Sequence, residues 1–142
     1  MDAPDIDILT TAQAGILSAL RTAHGDEFQI DPYPDSPDDF ALTHPKGVML
    51  LVFKRWRLDA PTTAVGSDQP TRLEFQLSLL NRSLLRGKEN PGAYDMITKA
   101  FSTLQGMIIG NAALECRDIS LVSIRGNRYH YAQLWQLPVF LI

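Results

Sequence analysis

Hydrophobic positions along the chain fall into a few patterns with clear periods. From about Ile6 to Ala23, Leu9, Ala12, Ile16 and Leu20 recur at three- and four-residue steps, with Ile8 and Leu17 beside them. That spacing predicts an amphipathic helix with one apolar stripe. Asp5 and Asp7 lie near its start, where carboxylates suit the helix dipole, and Gly25 follows as a C-cap. Phe28 and Ile30 alternate with polar neighbours, predicting a short strand within Glu27–Tyr33, after which Pro32, Pro34 and Pro37 forbid a regular ladder. The stretch from Asp35 to Lys46 reads as an irregular connection, with at most one helical turn over Pro37–Leu42.

The next pattern is a strand, Val48–Leu58. Its first half is apolar on both faces, so it is expected to be covered on both sides. Beyond it, Trp56 and Leu58 fall on one face and Arg55 and Arg57 on the other, as expected of a strand that leaves the core. Asp59–Pro70, with Pro61, Thr62, Thr63, Gly66, Ser67 and Pro70, has the composition of a mobile loop. Arg72–Leu80 alternates: Leu73, Phe75, Leu77 and Leu79 against Arg72, Glu74, Gln76 and Ser78. This predicts a strand with one wet face, paired with Val48–Leu58 in a long hairpin whose tip is the 59–70 loop.

Asn90-Pro91-Gly92 supplies an N-cap and a first helical residue. Tyr94, Ile97, Phe101, Leu104 and Ile108 then form a helical stripe that Gly110-Asn111 ends. Ile119–Ile124, a tight Arg125–Arg128 turn and Tyr129–Leu137 predict a final hairpin, stopped by Pro138. The fold class is therefore α+β: one domain over residues 1–142, a mostly antiparallel sheet with two helices packed on one face.

Composition is that of a globular protein: 142 residues, 45% hydrophobic and 20% charged. No run is long and apolar enough for a membrane helix, and the acidic N-terminus lacks a signal-peptide pattern, so no membrane partner is expected and cytoplasmic synthesis is the default. The formal charge of −3 hides an asymmetry. Residues 1–45 carry nine acids against Arg21 alone, whereas residues 46–88 carry eight bases against three acids. One copy's acidic part can meet another's basic part, a head-to-tail contact that generates rings or filaments.

Candidate chemistry is sparse. Cys116 is the lone cysteine, which excludes an intrachain disulfide and reads as a buried hydrophobe. A nucleophile–base pair of Cys116 with His130 has only chain proximity in its favour. His24, His44 and His130 have no metal-ligand spacing, and there is no G-x-S-x-G elbow or P-loop. Asp35, Asp38 and Asp39 lack the remainder of a calcium loop. Lys54-Arg55-Trp56-Arg57 is the nearest approach to a nucleic-acid surface, but a pI near 5.5 is far from that footprint, and sequence-specific binding is not expected. No catalytic residue, cofactor or metal is expected. The wholly apolar terminus, Val139-Phe140-Leu141-Ile142, must either tuck into the chain's own core or dock on a partner.

The order of these segments resembles the tail-terminator and tail-completion proteins of long-tailed phages, especially the Mu-like branch. The resemblance rests on the helix at Ile6–Ala23, the Pro-rich Tyr33–Pro37 passage, the projecting strand Val48–Arg57, the helix at Tyr94–Ile109 and the Ser120–Gln136 hairpin. It is one of arrangement, over nearly the whole chain, and not of a signature motif. It implies a small α+β subunit that forms a ring, commonly a hexamer, which caps the tail tube, stops its polymerisation and joins it to the head. Its implied partners are sister subunits, the tail tube protein and a head-completion protein. Its implied place is the host cytoplasm during assembly and then the tail–neck junction of the virion. Arg55, Arg57, Arg72, Val139, Phe140, Leu141 and Ile142 are the candidate subunit or tube contacts. Two alternatives stand beside it: another neck or connector protein, and a small ligand-binding domain or enzyme with a dispersed site.

Overall fold

The computed structural model describes residues 8–33, 47–58, 69–85, 92–126 and 128–141. Helix α1 spans Ile8–His24, followed by strands β1 (Gln29–Pro32), β2 (Val48–Leu58) and β3 (Gln69–Asn81). Helix α2 (Ala93–Leu104) precedes a two-strand ribbon, β4 (Ile108–Ile109) and β5 (Ala112–Ala113), and the chain ends in β6 (Glu115–Arg125) and β7 (Arg128–Leu141). The main sheet has five strands in the order β1-β2-β3-β7-β6. β1 runs parallel to β2, and every other pair is antiparallel. The α+β expectation is met.

Both helices lie on one face. α1 buries Ala12, Ile16, Leu17 and Leu20, and α2 buries Ala93, Met96, Ala100 and Leu104. These side chains close one core with Met49, Leu51, Leu73, Phe75, Leu77, Leu79, Trp135 and Leu137 of the sheet. A smaller cluster of Val48, Leu50 and Leu80, flanked by Tyr33, sits on the other face. The first half of β2 is thus covered on both sides, as its apolar run requires. At the C-terminus of α1, Gly25 donates its backbone N–H to Arg21 O at 2.9 Å, where a Cβ would stand 2.5 Å from that oxygen. The two helices are tied by His24, whose Nε2 lies 2.6 Å from Thr103 Oγ1, and by Lys99, whose ammonium donates to both oxygens of Glu27.

Three sequence expectations are corrected. First, α2 ends at Leu104, short of Gly110: Gln105 turns extended and Gly106 takes φ +78°, so Ile108 belongs to the ribbon and Gly110, at φ +65°, to its turn. The buried stripe of α2 is also rotated. The small side chains of Ala93 and Ala100 let the helix settle on the sheet, while Tyr94 and Phe101 overhang to one side. Second, Pro138 does not end β7, which runs on to Leu141. The β6 pairing stops at Glu115 opposite Gln136, so Pro138 has a strand on one side only and its missing N–H is tolerated. Third, the polar face of β3 is only partly wet: Glu74 and Ser78 are buried, while Arg72 and Gln76 are half-buried.

The irregular 35–46 connection, the helix-opening Asn90-Pro91 and the 59–70 loop, except for Gln69 and Pro70, lie outside the described residues. Gln69 and Pro70 are paired in β3, so the strand reaches further toward the tip than the expected start at Arg72.

Candidate assembly surface

The β2–β3 hairpin owes its two chemically distinct faces to a bulge. Simple alternation from Phe53 would place Arg55 on the same side as the core. Between Phe53 and Arg55 the register slips by one residue, so that Phe53 opposes Phe75, Arg55 opposes Glu74 and Trp56 opposes Leu73. Such an insertion exchanges the faces of every residue beyond it. Trp56 and Leu58 are thereby returned to the helix-bearing side, and Arg55 and Arg57 to the opposite one. Lys54 to Leu58 are all exposed, so this end of β2 stands clear of the core, as the sequence pattern requires.

Arg55, Arg57 and Arg72 converge on the face away from the helices. Arg57 is directly opposite Arg72, and Arg55 is one pair along, opposite Glu74. Arg55 Nε stands 3.0 Å from Glu74 Oε1 in an ion pair that lacks hydrogen-bond geometry. Glu74 Oε2 accepts from Gln136 Nε2 at 2.8 Å. The carboxylate is buried while the Arg55 side chain is half exposed, so this arginine has a role in the chain's own fold. Arg57 lends its backbone oxygen to the Thr71 hydroxyl.

The terminal candidates divide. Val139 packs against the chain's own core. The backbones of Phe140 and Leu141 pair with Pro70 and Gln69 of β3, and Ile142 lies outside the described residues.

A second surface, absent from the sequence candidates, lies along β6. Ile119, Leu121 and Ile124 are opposite Gln133, Tyr131 and Tyr129 and share the helix-bearing face with them. The adjoining side of α2 follows the same ladder. Tyr94 meets Tyr131 edge to face at 6.4 Å, Ile97 O accepts from Gln133 Nε2, and Phe101 lies 6.0 Å from Trp135. β6 is an edge strand outside the footprint of the helices, and Ile119, Leu121 and Ile124 remain 39%, 47% and 55% exposed. No local pattern announces this, because exposure here is set by sheet order.

The chemistry expected to be sparse has little geometry behind it. Cys116 is opposite Trp135 on the helix-bearing face, whereas His130, opposite Ser123 and Leu80, points the other way. The two cannot form a pair, and burial pushes the Cys116 thiol up, away from thiolate. Among the described residues no group of three or more His, Cys, Asp or Glu side chains could hold a metal ion, and no helix is long and apolar enough to cross a membrane. The groove along α1 is lined by Thr10, Gln13, Ser18 and Thr22 and holds one charged group, Arg21, which is already paired with Asp31 at 3.1 Å.

His130 gives a prediction. Its Nε2 is buried without a hydrogen-bond partner. Burial, with help from the Arg128 charge, holds its pKa below the ordinary 6.5. The unfolded chain therefore binds the proton more readily, so the contribution to stability is present above pH 6.5 and is lost as pH falls through the folded value. Denaturation midpoints should drop below that pH in the parent protein, and His130→Gln should flatten this dependence.

What the fold defines is a small α+β domain that, among the described residues, carries its distinctive chemistry on open surfaces. The Gp37 protein family model matches residues 16–136, and the chain belongs to that family. Among curated proteins none matches the chain. Among solved structures, a chain from the virion of a native gene transfer agent particle is similar over 94% of this chain and 91% of its own, with a TM-score of 0.51 and 9% identity, a likeness of fold. The sheath/tube terminator of an extracellular contractile injection system, in its extended state, aligns with all of this chain and 58% of its own at a TM-score of 0.44 and 13% identity, which is short of a common fold.

Proposed function

We propose that this chain is a virion assembly protein, a tail terminator whose copies form a ring, most simply a hexamer. The ring caps the end of a tail tube, stops its polymerisation and offers a docking surface for the head. The observation that carries this reading is the pair of separate apolar patches, at the hairpin end and along β6, on a chain whose polar groups, among the described residues, do not converge into a reactive centre. Membership of the Gp37 family and the fold shared with a chain of a gene transfer agent virion support it. The partners are sister subunits, the tail tube protein and a head-completion protein. The chain works in the host cytoplasm during assembly and then at the tail–neck junction of a phage or phage-like particle.

Light scattering of the purified chain, alone and mixed with tube protein, tests the reading. A discrete oligomer, or monomers that gather into rings on tube ends, is expected. A strict monomer that never binds tube ends contradicts it. A neck or connector protein is the second reading, favoured by the particle-wide context of the gene transfer agent likeness, and electron microscopy that places the chain at the portal instead of the tube end would select it.

A further inference from the structure

The apolar strip between α2 and β6 is continuous. Leu121 flanks Tyr131, which touches Tyr94; Ile119 flanks Gln133, whose amide reaches Ile97 O. Tyr94, Phe101, Ile119, Leu121 and Ile124 are between 37% and 55% exposed. Large side chains present roughly 150–250 Å² each when free, so the strip offers on the order of 400 Å². That is the size of the largest apolar patch usual on a monomer, about half of what one partner contributes to a standard interface. The strip therefore calls for one covering element, with other contacts to complete the interface.

A second apolar patch lies at the other end of the same sheet. Trp56 is 37% exposed and Leu58 is 55% exposed. Leu58 is opposite Thr71 and so level with Val139, whereas Ile124 is level with Tyr129. Along β7 those levels are about 33 Å apart at the rise of an extended strand. The hairpin end thus cannot fold back onto the strip of its own chain. The two patches share a face and do not overlap.

From these facts we infer that the Trp56–Leu58 end of the hairpin in one copy seats on the α2–β6 strip of the next copy. This rests on the ring reading above and assigns its contact. A two-fold contact centred on the strip would leave Trp56 and Leu58 in water, and a reciprocal two-fold contact of hairpin end with strip would close a dimer in place of a ring. A heterologous contact covers both, uses each once per subunit, and repeats around a closed ring. The bulge at Phe53/Arg55 is what makes it possible, since without it Trp56 and Leu58 would face away from the helix-bearing side.

Site-directed cross-linking tests this. Full-length Leu58→Cys and Leu121→Cys chains, each also carrying Cys116→Ser, are mixed, mildly oxidised, and weighed without reduction, both free in solution and with tail tubes. Both new thiols replace exposed side chains, so the core is left intact. The mixed Leu58→Cys/Leu121→Cys dimer should exceed each homodimer, and should exceed an Asp26→Cys control by about tenfold or more, the gain expected when two thiols are held together. An excess of Leu121→Cys homodimer would establish a two-fold contact and overturn the assignment. Mixed dimer at control level in both settings overturns it too. If light scattering still finds rings in that case, the ring reading survives and only this contact is wrong; if the chain neither oligomerises nor binds tubes, both fall.

Discussion

Replacing Trp135 with alanine should cost about 3–5 kcal/mol of folding free energy, the range for removing a fully buried large aromatic. Trp135 is among the largest side chains with no exposure. It lies opposite Phe75 on β3, meets Phe101 of α2 at 6.0 Å, and donates its indole N–H to Gln133 Oε1 at 3.0 Å. Gln133 in turn donates to Ile97 O, so the substitution opens a cavity and loosens the polar clamp that holds α2 on the sheet. Domains have only about 0.05–0.15 kcal/mol of stability per residue, so a loss of this size takes a large share of the total. Urea titration followed by circular dichroism would show it as a lower midpoint with an unchanged slope. Trp135→Phe keeps most of the ring packing and removes the N–H donor, and should cost about 1–3 kcal/mol. Equal losses for the two variants would mean that the hydrogen bond, and not the packing, sets the effect.

The second large effect is expected at Gln136. Its amide is the hydrogen-bond donor to Glu74 Oε2, and Glu74 is 2% exposed. Gln136→Leu would leave a buried carboxylate with only the partly solvated Arg55 beside it. Losing a hydrogen bond to a buried charge costs about 1.5–3 kcal/mol. The double variant Glu74→Leu/Gln136→Leu removes the stranded charge together with its partner and should recover much of that loss, because apolar replacement of both members of a buried pair is often nearly neutral. The four proteins form a thermodynamic cycle, and a coupling below about 0.5 kcal/mol would show that Glu74 does not depend on Gln136. Arg55, chosen from sequence as a contact for a neighbour, belongs to this same cluster, so Arg55→Ala should lower stability as well as any assembly.

How legible these features were in the sequence depended on the range of the interactions that set them. The stripe of α1, the two-sided burial of Val48–Leu51 and the alternation from Leu73 to Leu79 follow from local periodicity, and the structure realises them. The spacing of Ile108 extends the helical stripe beyond the end of α2, because Gly106 breaks the helix four residues before Gly110. Pro138 reads as a stop unless one knows that β6 ends beside Gln136. The burial of Glu74 depends on a donor 62 residues away, and no local pattern encodes it. The same holds for β6: its apolar residues share the face of the core, and only the order β1-β2-β3-β7-β6, which puts them at an edge beyond the helices, leaves them uncovered. The sequence candidates for assembly accordingly included the projecting hairpin, whose outward course is written in its own residues, and missed the strip beside α2.

Capping of a growing tube, as proposed, is decided by the length distribution of tail tubes polymerised with and without the protein, imaged by electron microscopy. Termination by a ring predicts that added protein narrows the distribution, halts further growth and leaves a ring of density at one end of each tube. Tubes that keep growing to the same lengths, with bare ends and the protein unbound, would contradict it.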